Sequence, residues 1–159
     1  MNGSPSPANS RCSIARSLQV LGEKWALLIV RDVQRGYTRY SELRGRLQIA
    51  PDVLADRLGK LVDLGVIERH AYRTPGERER EEYRLTAAGI ELLPVLAALN
   101  AWGDKHVPSG YGPAAIFTDA ATGDPVELAF VRPDGRRLEL DEVAVVRGPG
   151  ALEAVPAAP

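Results

Sequence analysis

A chain of 159 residues, 45% hydrophobic and 26% charged, is the size and composition of one globular domain with room for a small appendage. No apolar run reaches bilayer length and the N-terminus lacks a signal-peptide pattern, which excludes a membrane partner and points to the cytoplasm. The single cysteine, Cys12, excludes an intramolecular disulfide; the net charge of −1 hides +3 over residues 1–106 (16 basic against 13 acidic) and −4 over residues 107–159 (4 against 8).

Residues 1–11 are polar, with two prolines and no periodicity, and predict a disordered start. Ile14, Leu18 and Leu21 share a face of a first short helix, Ser13 to Leu21, which Gly22 breaks. Trp25, Leu28, Ile29 and Val33 stripe a second helix that Gly36 stops. A third helix runs from Tyr40 to Leu47, with Tyr40, Leu43 and Leu47 inward. Pro51 opens a fourth, where its missing N–H costs nothing, and Leu54, Leu58 and Leu61 fall at i, i+4 and i+7. Gly65 ends it, and a strand follows from Val66 to Tyr72.

That strand and the segment EEYRLT bracket TPGERER, a hairpin whose tip is almost all charge. Helix, turn, helix and charged hairpin make a winged helix-turn-helix. Such a unit can set its second helix in the major groove of double-stranded DNA and its hairpin on the backbone or minor groove.

Thr86 caps a long last helix, Ala87 to about His106, bent where Pro94 removes a hydrogen bond. Its apolar residues cover most of the circumference, so it needs cover on a second side. A homodimer supplies that, with Ile14, Leu18, Leu92, Leu96, Leu99 and Trp102 at the seam; a sandwich within the monomer is the alternative. Beyond the hinge SGYGP, four short strands are expected at Ala114–Thr118, Val126–Val131, Arg137–Leu140 and Val143–Val146, with turns at TGDP and RPDG. The division is therefore 1–11 disordered, 12–107 winged helix and dimerisation, 112–150 a small β appendage, and 151–159 a loose tail. The fold class is α+β. The appendage is too small to stand alone and should pack on the winged helix or on a partner. It either caps the dimer or closes a small-molecule pocket with Trp102, Tyr111 and Phe117.

Arg39, Arg46 and the Ser41 hydroxyl surround the third helix and suit phosphates, as does Arg44. On the recognition helix Asp52, Asp56 and Lys60 face outward. Arg57 sits at the edge of the buried stripe, as a DNA contact or a structural bridge. A carboxylate there can accept from cytosine N4, although Asp52 also suits a helix N-terminus for the macrodipole alone. In the wing, Arg73, Arg78 and Arg80 are the cations. Strand alternation would put Arg78 and Arg80 on one face and Glu77, Glu79, Glu81 and Glu82 on the other; otherwise the wing neutralises itself. The near-neutral recognition helix leaves open a protein–protein module that has left DNA. His70 and His106 have no companion ligands, and no catalytic constellation or phosphate loop is visible, so no enzyme, metal or cofactor is expected.

The ordered set GEKW (Gly22–Trp25), IVRDV (Ile29–Val33), RYSEL (Arg39–Leu43), RLGKL (Arg57–Leu61), LGVIER and EYRLTAAG, with Cys12 ahead and Trp102 behind, resembles the HxlR family of transcription regulators, MarR-like winged-helix proteins. The resemblance implies a dimeric regulator, most readily a repressor, on a pseudo-palindromic operator. Ser13 stands where the family usually has Pro, and Asp52 where a basic residue is frequent. Some members carry a C-terminal extension with paired cysteines and a closing GPG; here Gly148–Gly150 closes an extension without Cys, which implies a metal-free, degenerate zinc-ribbon-like form. In several members the residue matching Cys12 senses oxidants or electrophiles. A thiol at a helix start with Arg11 and Arg16 nearby is chemically suited to that, and an inert thiol is the plainer reading. An oxidant or small-molecule effector is therefore a third partner class beside DNA and a second copy.

Overall fold

The computed structural model describes residues 10–73, 76 and 78–151. The expected tail after Ala151 and the wing-tip residues Thr74, Pro75 and Glu77 lie outside the described residues. So does the expected loose start, except that Ser10 and Arg11 are helical. The elements are α1 (Ser13–Leu21), α2 (Lys24–Gln34), α3 (Tyr40–Leu47), α4 (Pro51–Asp63), β1 (Ile67–Tyr72), β2 (Arg80–Leu85), α5 (Ala87–Ile90), α6 (Leu93–His106), β3 (Phe130–Val131) and β4 (Arg137–Leu138). A 3₁₀ turn follows at Leu140–Glu142.

One core holds the winged helix together. Ala26, Ile29, Val30 and Val33 of α2 meet Leu43 and Leu47 of α3, Leu54, Leu58 and Leu61 of α4, and Val66, Ile67 and Tyr83 of the hairpin. The apolar spacing along each helix sets which face turns inward, and burial of these side chains supplies the main driving force. Gly65 has φ +67°, the left-handed conformation that a side chain disfavours, and it turns α4 directly into β1. β1 and β2 pair antiparallel from Ile67↔Leu85 to Tyr72↔Arg80. A short third edge joins them through the Arg39↔Glu82 bridge and the Tyr83 N–H, which donates to the Thr38 carbonyl at 2.7 Å.

Past the wing, Thr86 accepts from the Gly89 N–H at 3.2 Å and donates to the Gly65 carbonyl at 2.5 Å, so one hydroxyl caps a helix and ties it to the start of β1. Gly89 is buried, and a Cβ there would drive into the Val66 carbonyl oxygen. Gly89→Ala is therefore expected to cost about 3 kcal/mol, the upper end of an overpacking change, because backbone cannot rotate away. Urea denaturation checks this; an unchanged midpoint would contradict it.

The last helix differs from expectation. It is two helices, α5 and α6, and Pro94 sits in the first turn of α6 instead of bending a continuous rod. Proline there gives up no hydrogen bond, whereas an interior proline would. The appendage differs as well. Both expected turns form, with the Gly135 N–H donating to the Arg132 carbonyl at 2.9 Å and the Gly123 N–H to the Asp119 carbonyl at 2.8 Å. The expected strands shrink to β3 and β4, the Thr118↔Pro125 bridge spans the turn between the first two expected strands, and Val143–Val146 forms no strand. With only Ala115, Phe117, Leu138 and Val143 half-buried, the β-rich alternation has no second layer against which to build a sheet.

Candidate nucleic-acid interface

α3, the turn at Gln48 and α4 form the helix-turn-helix. Gln48 takes a left-handed conformation, φ 49°, which turns the chain sharply, and the Tyr40 hydroxyl donates to the Pro51 carbonyl at 2.9 Å. That bond fixes the start of α4 against α3.

The predicted phosphate contacts divide in two. Arg39, Ser41 and Arg44 are exposed at α3. The Arg39 guanidinium lies 4.6 Å from the centre of the Tyr72 ring, and its backbone N–H donates to Glu42 Oε2 at 2.9 Å. With Ser41, Tyr72, Arg80 and the carboxylate Glu81 it lines a cleft of about 370 Å³ between the N-terminus of α3 and the tip-side end of the hairpin. Two guanidinium groups against one carboxylate leave the cleft able to take a phosphate. Arg46 is held otherwise. Its Nε lies 3.4 Å from Asp32 Oδ2, and its guanidinium lies 3.7 Å from the centre of the Tyr37 ring.

Asp32 itself is fully buried and is shared with Arg31, Nε to Oδ1 2.9 Å. This arrangement braces α3 on α2, and the sequence reading missed it. Its signal was a lone acid inside IVRDV, one residue before the apolar Val33.

On α4, Asp52, Asp56 and Lys60 are exposed, as expected. Lys60 Nζ stands 3.0 Å from Asp56 and 3.9 Å from Glu23. Arg57 is only 18% exposed; it pairs with Glu23 at the head of α2 and with Asp56 at 2.6 Å, and its Nε is buried without a hydrogen-bond partner. Arg57 therefore bridges α4 to α2, the structural alternative of its two expected roles, and Glu23 is a participant that sequence reasoning did not identify. The helix face carries little free charge.

In the wing, Arg73, Arg78 and Arg80 are exposed. The expected separation of charges by face does not hold for Glu82. It shares the Arg80 face of β2, with its side chain only 13% exposed. It accepts from Arg84 Nε at 2.8 Å and from the Thr38 hydroxyl at 3.2 Å. The Arg84 hydrogen bond holds its carboxyl below the usual glutamate range, with Thr38 adding to this against the opposing effect of burial. Glu82 is thus an ionised strut between wing and α3. Burial raises the Tyr83 phenol above its ordinary value, so Tyr83 stays protonated in the core.

The predicted dimer residues also divide. Ile14, Leu18, Leu99 and Trp102 are 72, 57, 51 and 60% exposed, whereas Leu92 and Leu96 pack on the domain's own core. Cys12 is exposed at the N-cap position of α1, where it makes no side-chain cap hydrogen bond. Arg16 is turned toward the Arg11 carbonyl at 3.2 Å and the Ser13 hydroxyl at 3.0 Å. Trp102 contacts His106, ring centres 5.2 Å apart, and Tyr111 is 97% exposed. Of the three aromatics expected to line a pocket with the appendage, Phe117 lines two clefts against α6, and neither Trp102 nor Tyr111 lines those two. Among the described residues no group of three or more His, Cys, Asp or Glu is placed to hold a metal, and no helix is long and apolar enough to cross a membrane.

The profile of the HxlR-like helix-turn-helix family matches residues 20–111. An uncharacterised HTH-type transcriptional regulator of Mycobacterium tuberculosis is 34% identical over 139 residues, 87% of each chain. Residues 1–111 cannot hold that many aligned positions, so the likeness reaches into the appendage. The crystal structure of PA1607, a candidate transcription factor, superposes with a TM-score of 0.71 at 35% identity, covering 86% of this chain and 95% of that one. The redox regulator HypR in its oxidised form gives a TM-score of 0.54 at 27% identity, over 60% of this chain and 97% of that chain.

Proposed function

The chain belongs to the HxlR-like helix-turn-helix family of transcriptional regulators, and from that premise we propose that it acts as a homodimeric repressor on a pseudo-palindromic operator. The observation that carries the reading is the exposure of Ile14 and Leu18 on α1 and of Leu99 and Trp102 on α6, in a chain with a complete helix-turn-helix. Two copies joined through those side chains would present two α4 helices to successive major grooves, about 34–36 Å apart. The repressor role is carried over from the family resemblance.

In this reading Arg39, Ser41, Arg44 and the wing cations grip phosphates, and Asp52, Asp56 and Lys60 face base edges. Arg46 and Arg57 position the helices from behind. With so small a basic excess, affinity rests on these placed side chains more than on bulk charge. Cys12 is the residue on which an oxidant or electrophile would act. It heads the helix that carries Ile14 and Leu18, so an adduct there would press on the seam. The oxidised form of HypR among the structural neighbours supports a thiol-responsive reading.

The self-paired charges of α4 favour one competing reading, a protein–protein module. Fluorescence anisotropy on duplexes from the chain's own upstream region separates the two. Arg78→Ala should weaken binding about equally on all sequences and lower the salt slope by about 1, whereas Lys60→Ala should change the preference among operators. Salt-insensitive binding, or none to any duplex, would favour the module. Footprinting repeated with an oxidant, on the protein and on Cys12→Ser, tests the effector role.

A further inference from the structure

α2, α6 and the appendage segment Ala115–Thr118 enclose an open cleft of about 480 Å³. Leu28, Leu96, Leu99, Ile116 and Phe117 are among its apolar walls, and its polar side chains are Arg31, Gln34, Arg35, Asn100 and Thr118, with no acid. On the far side of the same segment a second cleft, about 730 Å³, carries Asp104 and Glu127 and no cation. The Asn100 amide stands between them, donating to the Ala115 carbonyl at 3.4 Å and to Asp104 at 2.9 Å. The appendage is acidic overall, yet the surface it lays over α2 meets two guanidinium groups and no carboxylate.

Arg31 uses its Nε on Asp32. The Arg35 side chain makes no hydrogen bond, ion pair or ring contact among the described residues. Unfilled apolar walls, with guanidinium donors converging from one helix, are the makings of a site for a molecule with a greasy body and one anionic head.

We propose that this cleft binds an amphipathic organic monocarboxylate, its apolar body against Leu28, Leu96, Ile116 and Phe117 and its carboxylate on Arg35 and Arg31. The occupant sits where it can act on both halves of the molecule. Arg31 shares the Asp32 carboxylate with Arg46, the brace of α3, so a second carboxylate at Arg31 competes for that brace. The other wall is α6, where Leu99 lines the cleft and also belongs, with Trp102, to the proposed seam. Binding therefore biases the spacing of the two α4 helices; this consequence, unlike the binding itself, rests on the regulator reading.

Titration calorimetry on the full chain with octanoate and with octanamide, its neutral counterpart, tests the site. Octanoate is expected to saturate at one per chain and to bind about tenfold or more tightly than octanamide, since a charge-assisted bidentate contact is lost in the amide. Arg35→Gln should cost octanoate about tenfold and leave octanamide and the unliganded melting temperature unchanged. Ile116→Asp should weaken both ligands.

Equal binding of the two ligands, no binding of octanoate, or an unaffected Arg35→Gln would each overturn the proposal. So would octanoate binding that weakens as protein concentration rises, because the cleft would then belong to a second copy. Operator affinity of unliganded wild-type protein is measured separately. Its absence would refute the regulator reading and leave the calorimetric result standing.

Discussion

Leu99→Glu combined with Trp102→Glu is expected to yield a folded monomer that has lost about a hundredfold or more of its affinity for a two-half-site operator. Neither side chain belongs to the core of its own domain, and both are more than half exposed. Two carboxylates there cost the monomer little, since both positions are at least half exposed and the one at 99 borders a cleft lined by Arg31 and Arg35. In a dimer the same positions would face their own copies, and like charges without water between them would be strongly unfavourable.

The loss in DNA binding follows from linkage. A tethered second helix-turn-helix binds at high effective concentration, and a monomer binds each half-site alone. Sedimentation reads the oligomeric state, and anisotropy on one-half-site and two-half-site duplexes reads the affinity. Single half-site binding should persist. A variant that stays dimeric would remove Leu99 and Trp102 from the seam, and a monomer that keeps full operator affinity would end the dimeric reading. Leu96→Glu is the contrasting control. Leu96 packs on the domain's own core, so that change should lower the melting temperature instead of separating subunits.

Asp32→Ala should lower stability by about 2–3 kcal/mol, seen as a fall in melting temperature of about 5–10 °C in calorimetry. The carboxylate is fully buried, and its two Arg partners are 34% and 39% exposed. Removing a buried partner commonly costs about 3–5 kcal/mol because a charge is left unpaired in the interior. Here both guanidinium groups can turn to water, which places the expected loss below that range. Asp32→Asn keeps the shape and one acceptor, so its loss should be smaller. The functional effect should exceed the stability effect. Arg46 is then held only by the Tyr37 ring, α3 loses its brace to α2, and the angle at which α4 meets DNA is less fixed. An Asp32→Ala variant as stable as wild type would mean that the buried pair contributes nothing net.

Local periodicity was enough for the winged helix. Leu54, Leu58 and Leu61, Pro51 ahead of them and Gly65 behind them determined α4 from composition and spacing alone, because helix faces and caps are decided within a few residues. The hairpin was equally legible, and its strand bounds came out to within a residue. Arg57 was harder. Its position at the edge of a buried stripe suits a bridge or a DNA contact alike, and only the approach of Glu23 from another helix decided it. Asp32 and Glu82 were missed for the same reason: an acid becomes a strut only when a distant cation or hydroxyl is folded against it. The appendage misled for another reason. Its alternating pattern has strand character, but strands need a neighbour, and this segment has almost none.

From its residues alone, this chain is a winged helix-turn-helix followed by one long apolar helix and a small β appendage, of which the structure keeps the first, splits the second and leaves the third mostly loop. Which side chains face DNA freely and which are spent holding helices together was decided only in three dimensions. Charge is local to a residue, whereas its cancellation depends on what packs beside it.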